Sequence, residues 1–118
     1  IRDRAFCHAV AGLSHLVGMD RNVRIHLVLT ALAVVVAVWL GLSAVEWAIL
    51  SLTIGFGFSA EAMNTAVEAA MDLVSPGRHP LAKAAKDTAA AAVLVAAVTA
   101  VIVAAFLFLP HLFARLGI

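Results

Sequence analysis

An all-α integral membrane protein, with an N-terminal amphipathic surface helix followed by three transmembrane helices, is the fold class this sequence predicts. Hydrophobic residues make up 64% of the chain and charged residues only 13%, a balance outside the usual range of soluble globular chains. Three apolar stretches approach the roughly 20 residues needed to cross about 30 Å of hydrocarbon. The basic residues are also lopsided: Arg2, Arg4, Arg21, Arg24, Arg78, Lys83 and Lys86 fall on one side of the spans and Arg115 alone on the other.

The first element is expected over about residues 4–19. There Phe6, Val10, Leu13 and Val17 recur at helical spacing opposite Arg4, His8 and His15, the pattern of a helix lying on a membrane surface or against a partner helix. The first span follows over about 25–42, and GLSAVEW, with no Lys or Arg, joins it to a second span over about 47–74. Pro76 and Gly77 break that helix and Pro80 keeps the chain from rejoining it, so a cytoplasmic loop is expected over 75–87. The third span runs over about 88–112. Positive residues mark the cytoplasmic side, which makes the N-terminus cytoplasmic and the C-terminus external.

Alanines from Ala89 to Ala105, and Gly55, Ser59, Ala62, Ala66 and Ala70, allow close helix approach in lipid and favour an oligomer. No repeat divides the chain, which reads as one domain over 1–118. The first long apolar run begins only after about residue 25, so the chain reads as unprocessed and held by its own spans. Cys7 is a lone cysteine with no intrachain partner and reads as a small apolar residue. A formal charge of +1, with the basic residues scattered, argues against nucleic acid as a partner.

The chemistry concentrates in EAMNTAVEAAMD, Glu61 to Asp72. At about 100° per residue, Glu61, Asn64, Glu68 and Asp72 share one narrow helix face, and Thr65 joins them. Counted from Trp47 at the outer boundary, Glu61 lies roughly 21 Å along the helix, still in hydrocarbon, with Glu68 near the cytoplasmic interface and Asp72 just beyond it. A carboxylate in hydrocarbon costs at least about 2.5 to 3.5 kcal/mol. A row running from lipid to water therefore suits a reaction between a membrane-dissolved and a water-dissolved reactant.

In such a row the deeper carboxylate can act as a base and the shallower one as a hard-metal ligand. Asp72 alone can equally be structural, paired with a nearby Arg or Lys. Asp20, Lys86 and Asp87 reach the same cytoplasmic boundary, and carboxylates, a lysine and a basic loop at one level suggest a Mg²⁺-bound nucleotide. No GxxxxGK[ST] or GxGxxG motif is present, so phosphate binding falls to side chains and helix ends. A proton- or ion-conducting proteolipid is the competing non-enzyme class. A conducting path should cross the membrane, whereas residues 47–60 offer only Ser51, Thr53 and Ser59.

The run EAMNTAVEAAMD followed by AKDTAAAAVL (Ala85 to Leu94), together with Ala-x-x-Gly-Leu at Ala9 to Leu13 and the order of spans, closely resembles the prokaryotic diacylglycerol kinase family, which includes undecaprenol kinases. The resemblance implies a trimeric lipid kinase of the bacterial cytoplasmic membrane that moves the ATP γ-phosphate onto a lipid hydroxyl. It implies that Glu61 is the catalytic base, Asn64 a polar neighbour of the reacting groups, and Glu68 a Mg²⁺ ligand at the nucleotide site. Lys86 and Asp87 become nucleotide contacts, and His79 sits in the loop covering the adenine. Asp20 stands where the family usually has a metal-ligating glutamate one methylene longer, and Ala91 stands where a glycine is common. The segment Asp20 to His26, DRNVRIH, resembles the E-R-N-x-x-I-H pattern of the undecaprenol kinase branch, which favours undecaprenol over diacylglycerol. His26 itself also reads as an interfacial anchor at the start of a span.

Overall fold

The computed structural model describes residues 2–118; Ile1, the first residue of the expected 1–118 domain, lies outside them. The described residues form four helices, α1 (Arg2–Met19), α2 (Arg21–Leu40), α3 (Ala44–Val74) and α4 (Pro80–Leu116), in an elongated body of 58 × 37 × 21 Å. α3 and α4 form the most extensive interhelical contact, α2 packs on both, and α1 leans on α2. Two helices, α2 and α4, are long and apolar enough to cross a membrane. α3 is polar over its second half because it carries the Glu61 to Asp72 stripe.

Little apolar surface is hidden within one chain. Val35 is 66% exposed, Val101 70% and Phe106 78%, a surface that water would not tolerate but hydrocarbon accepts. The buried cluster is small: Ala37, Leu42, Leu50 and Leu107, flanked by Trp47, Ile54, Val103 and Phe108. It sits at the end where α2 turns into α3. Gly41 adopts φ 73°, a left-handed conformation that suits glycine, and its N–H bonds the Ala37 carbonyl at 3.0 Å. Ser43 then starts α3 with a capping box, its hydroxyl accepting from the Glu46 N–H at 3.2 Å while the Glu46 carboxylate accepts from the Ser43 N–H at 3.0 Å.

The same carboxylate reaches α4, where His111 Nε2 lies 2.8 Å away. Arg115 donates to the Trp39 carbonyl at 2.7 Å and lies 4.6 Å over the Trp39 ring. Polar contacts thus fasten all three long helices at this end.

At the opposite end the loop expected over 75–87 is shorter. α4 begins at Pro80, so the connection is 75–79 and residues 80–87 form the first turns of a 37-residue helix. Proline breaks a helix from within, yet its fixed φ and missing N–H suit the first position of one. His79 completes the start, its Nδ1 accepting from the Leu81 N–H at 3.1 Å. α4 is therefore about 55 Å long, well beyond a bilayer's hydrocarbon thickness, and its first turns stand clear of the apolar part. α1 and α2 are separated by Asp20 alone, and α2 starts at Arg21, ahead of the expected span boundary at 25. The Asp20 carboxylate accepts from the Asn22 N–H at 2.9 Å and so serves as the α2 N-cap.

Candidate functional site

The polar stripe of α3 faces the other helices where α2 begins. Glu61 is the single buried polar residue among the described residues, at 7% exposure. It stands at one end of a cavity of about 550 Å³ between α2, α3 and α4. Asn22 and His26 of α2 and Gly57 of α3 line the cavity near Glu61, while its α4 wall is wholly apolar and rich in alanine. A carboxylate heading a hydrocarbon-lined space is a geometry for meeting the polar end of a long apolar molecule.

Two further carboxylates act on Glu61 electrostatically, those of Asp20 and Glu68. Asp20 is drawn to the stripe by Thr65, whose hydroxyl donates to its Oδ2 at 3.1 Å. Asp20 therefore has two tasks: one oxygen caps α2 and the other is held against α3. No ion pair among the described residues neutralises Asp20, Glu61 or Glu68. No group of three or more His, Cys, Asp or Glu side chains among those residues is placed to enclose a metal ion by itself.

Asn64 turns away from this cavity. It lines a separate groove of about 500 Å³ between α3 and α4, together with Met63, Val67 and Thr88. Its Oδ1 is buried there without a hydrogen-bond partner, which leaves an acceptor whose desolvation nothing in the chain offsets.

The charged residues at the end of α3 and the start of α4 separate into pairs. Lys86 bonds Asp72 at 2.5 Å, tying α4 to the end of the stripe, and Lys83 bonds Asp87 at 2.6 Å one turn along α4. Lys86 and Asp87 are thus neighbours in sequence with different partners, because consecutive helical residues point about 100° apart. His79 is exposed and capped onto α4 through Nδ1, which leaves Nε2 free.

One feature escaped sequence reasoning. His26 stacks flat on Phe58, with ring centroids 4.2 Å apart and planes 5° apart. It reaches α3 over Gly57, where an added Cβ would stand 2.9 Å from the imidazole Nε2. The alternation Gly55-Phe56-Gly57-Phe58 within a helix was the available signal, since glycine inside a helix costs about 1 kcal/mol relative to alanine and calls for a packing reason.

Comparison with known proteins adds an independent line. Residues 7–108 match the family described as prokaryotic diacylglycerol kinase. The chain is 41% identical over 109 residues to an undecaprenol kinase of Bacillus subtilis, covering 92% of this chain and 89% of that one. It is 44% identical over 109 residues to a diacylglycerol kinase of Synechocystis, covering 92% of this chain and 62% of that one. A diacylglycerol kinase of Escherichia coli K12 is 38% identical over 80 residues, 68% of this chain and 66% of that one. The chain thus spans slightly less than two thirds of the length of these two diacylglycerol kinases.

Proposed function

This chain belongs to the prokaryotic diacylglycerol kinase family and is a membrane lipid kinase, and on that premise we propose that it transfers the γ-phosphate of ATP to the hydroxyl of undecaprenol at the membrane–cytoplasm boundary. The observation that carries this reading is Glu61, buried at the end of an apolar cavity with no neutralising partner among the described residues. The likeness to an undecaprenol kinase along 89% of that protein's length supports the acceptor. Identity of 44% to the Synechocystis protein favours diacylglycerol as the second reading.

Glu61 takes the proton of the lipid hydroxyl as its oxygen bonds to the γ-phosphorus and the bond to the β-phosphate oxygen breaks, releasing ADP. Catalysis here rests on positioning and charge, and a base held at the head of a lipid-shaped cavity supplies the first. Asp20 and Glu68 are the proposed metal ligands. Their hard carboxylate oxygens, from two different elements, form no ion pair among the described residues and no closed cage. This donor set fits Mg²⁺, which takes one or two carboxylates and keeps water and phosphate oxygens. When bound, Mg²⁺ offsets phosphate charge. Asn64, with its unpartnered oxygen, is assigned to orienting a polar group beside the reaction. Lys86, Asp87 and His79 are assigned to the nucleotide, Lys86 exchanging Asp72 for phosphate.

The chain is read as crossing the bacterial cytoplasmic membrane three times, through α2, α3 and α4, with its N-terminus cytoplasmic and α1 on the inner surface. Exposure of Phe6 at 71% and Leu13 at 61% supports a lipid-facing α1. A homotrimer is the proposed assembly, supported by the small-residue faces of α3 and α4. The test is a purified-protein assay with Mg-ATP against undecaprenol and diacylglycerol in mixed micelles. Phosphorylated undecaprenol is the expected product; activity on diacylglycerol alone transfers the reading to that acceptor, and activity on neither overturns it.

A further inference from the structure

The contact of His26 with α3 is built into the backbone. Among the glycines described, Gly57 is the one at which a Cβ would collide with a neighbour, and that neighbour is His26. Phe58 holds one face of the imidazole by stacking. Gly57 lies one helical turn before Glu61, on the same face and about 6 Å further along the cavity from the cytoplasmic end. Both His26 and Glu61 line the cavity. A chain whose hydroxyl rests at Glu61 must therefore run past the His26 ring within its first few atoms.

Beyond His26 the lining offers few groups to a polar substituent: the hydroxyls of Thr30 and Thr53 are its polar side-chain atoms there. Every α4 residue in the cavity wall is apolar, from Val93 to Phe108. The Thr53 hydroxyl already donates to the Ile49 carbonyl at 2.7 Å. A single-chain alcohol presents only hydrocarbon here. A glycerol diester would bring a branch point and two ester groups to the same level, where they meet a fixed ring and then a nearly dry wall.

We infer that His26, held by Phe58 and Gly57, is a specificity-determining residue: its bulk narrows the cavity next to Glu61 so that a single-chain alcohol is accepted ahead of a two-chain glycerol diester. The inference rests on the proposed placement of the lipid hydroxyl at Glu61. Discrimination of this kind, by volume in an apolar site, amounts to about 10- to 200-fold.

The test measures kcat/KM for undecaprenol and for dioleoylglycerol in the wild type, His26→Ala, His26→Ser and His26→Leu. Opening the space with Ala or Ser should lower the undecaprenol-to-diester ratio by about tenfold, through the acceptor KM and with the KM for ATP unchanged. Leucine, of similar bulk, should keep the ratio near that of the wild type. A ratio moved less than twofold in both the Ala and Ser variants, or lowered equally by Leu, overturns the inference. If Ala fails to assemble, Ser vacates the same space and decides. A wild type that phosphorylates neither lipid refutes the proposed function instead, so the two failures are told apart.

Discussion

Replacing Glu61 with glutamine separates two quantities that a structural carboxylate would move together. As a general base, Glu61 accounts for about 10²- to 10⁴-fold in rate, or roughly 2.7 to 5.5 kcal/mol of transition-state stabilisation. Its contribution to folding has the opposite sign. The side chain is 7% exposed, its charged neighbours are Asp20 and Glu68, and no described cation pairs with it. Removing that charge while keeping the shape should stabilise the fold by about 1 to 3 kcal/mol, within the cost of a charge held in hydrocarbon. The assay is the initial rate with saturating Mg-ATP and undecaprenol in mixed micelles, paired with thermal unfolding of the same preparations. The expected result is a rate at least about a hundredfold lower and a midpoint equal to or above that of the wild type. A variant that keeps more than about a tenth of the rate, or that loses stability in step with activity, would refute the assignment.

Asp20→Asn and Glu68→Gln should each raise the Mg²⁺ concentration for half-maximal rate by about tenfold or more, read from a Mg²⁺ titration at fixed ATP. Because asparagine also caps helices, Asp20→Asn should leave the α2 start intact, whereas Asp20→Ala should cost about a further 1 kcal/mol in thermal unfolding. Lys86→Met should raise the KM for ATP and Asp72→Asn should not; with the pair's side chains 38% and 67% exposed, solvent screens the bridge and neither change should move the unfolding midpoint measurably. Equal KM values for ATP in the two variants would leave Lys86 only its bridge. Glu46 lies in the first turn of α3, ahead of the span proposed over 47–74. The Ser43 N–H first, and His111 next, hold its carboxyl below the ordinary value of 4.5. Its contribution to stability is therefore complete above that value and lost as pH falls through the lower folded-state one. The wild-type unfolding midpoint should decline across that acidic window, with a smaller decline in Glu46→Gln.

The stripe on α3 was legible because helical period is a local property: Glu61, Thr65 and Glu68 declare a shared face from spacing alone. The helices were legible for the same reason, apart from the start of α2, four residues ahead of the expected boundary, and the start of α4, where Pro80 carries one local rule for ending a helix and another for beginning one. What pairs with what was less accessible. The bond from Thr65 to Asp20 joins residues 45 apart in sequence, and that from Lys86 to Asp72 residues 14 apart; periodicity holds no information on either. Asn64 shows the limit within a single face. It lies on the stripe by angle, yet the crossing of α4 puts it in a different groove from Glu61. His26 was read from its own position at a helix start, whereas its setting is determined by Gly57 and Phe58 on another helix.

The fit of His26 over Gly57 also makes the two positions a single evolutionary unit. A methyl group gained at 57 needs room that the imidazole already fills, so position 57 can be enlarged only if the ring at 26 shrinks or shifts. Substitutions there should be non-additive, with the double variant Gly57→Ala/His26→Ala better tolerated than Gly57→Ala alone. A lineage that fills 57 would first have to shrink or re-aim the residue at 26. That order gives descent a direction at this pair of sites.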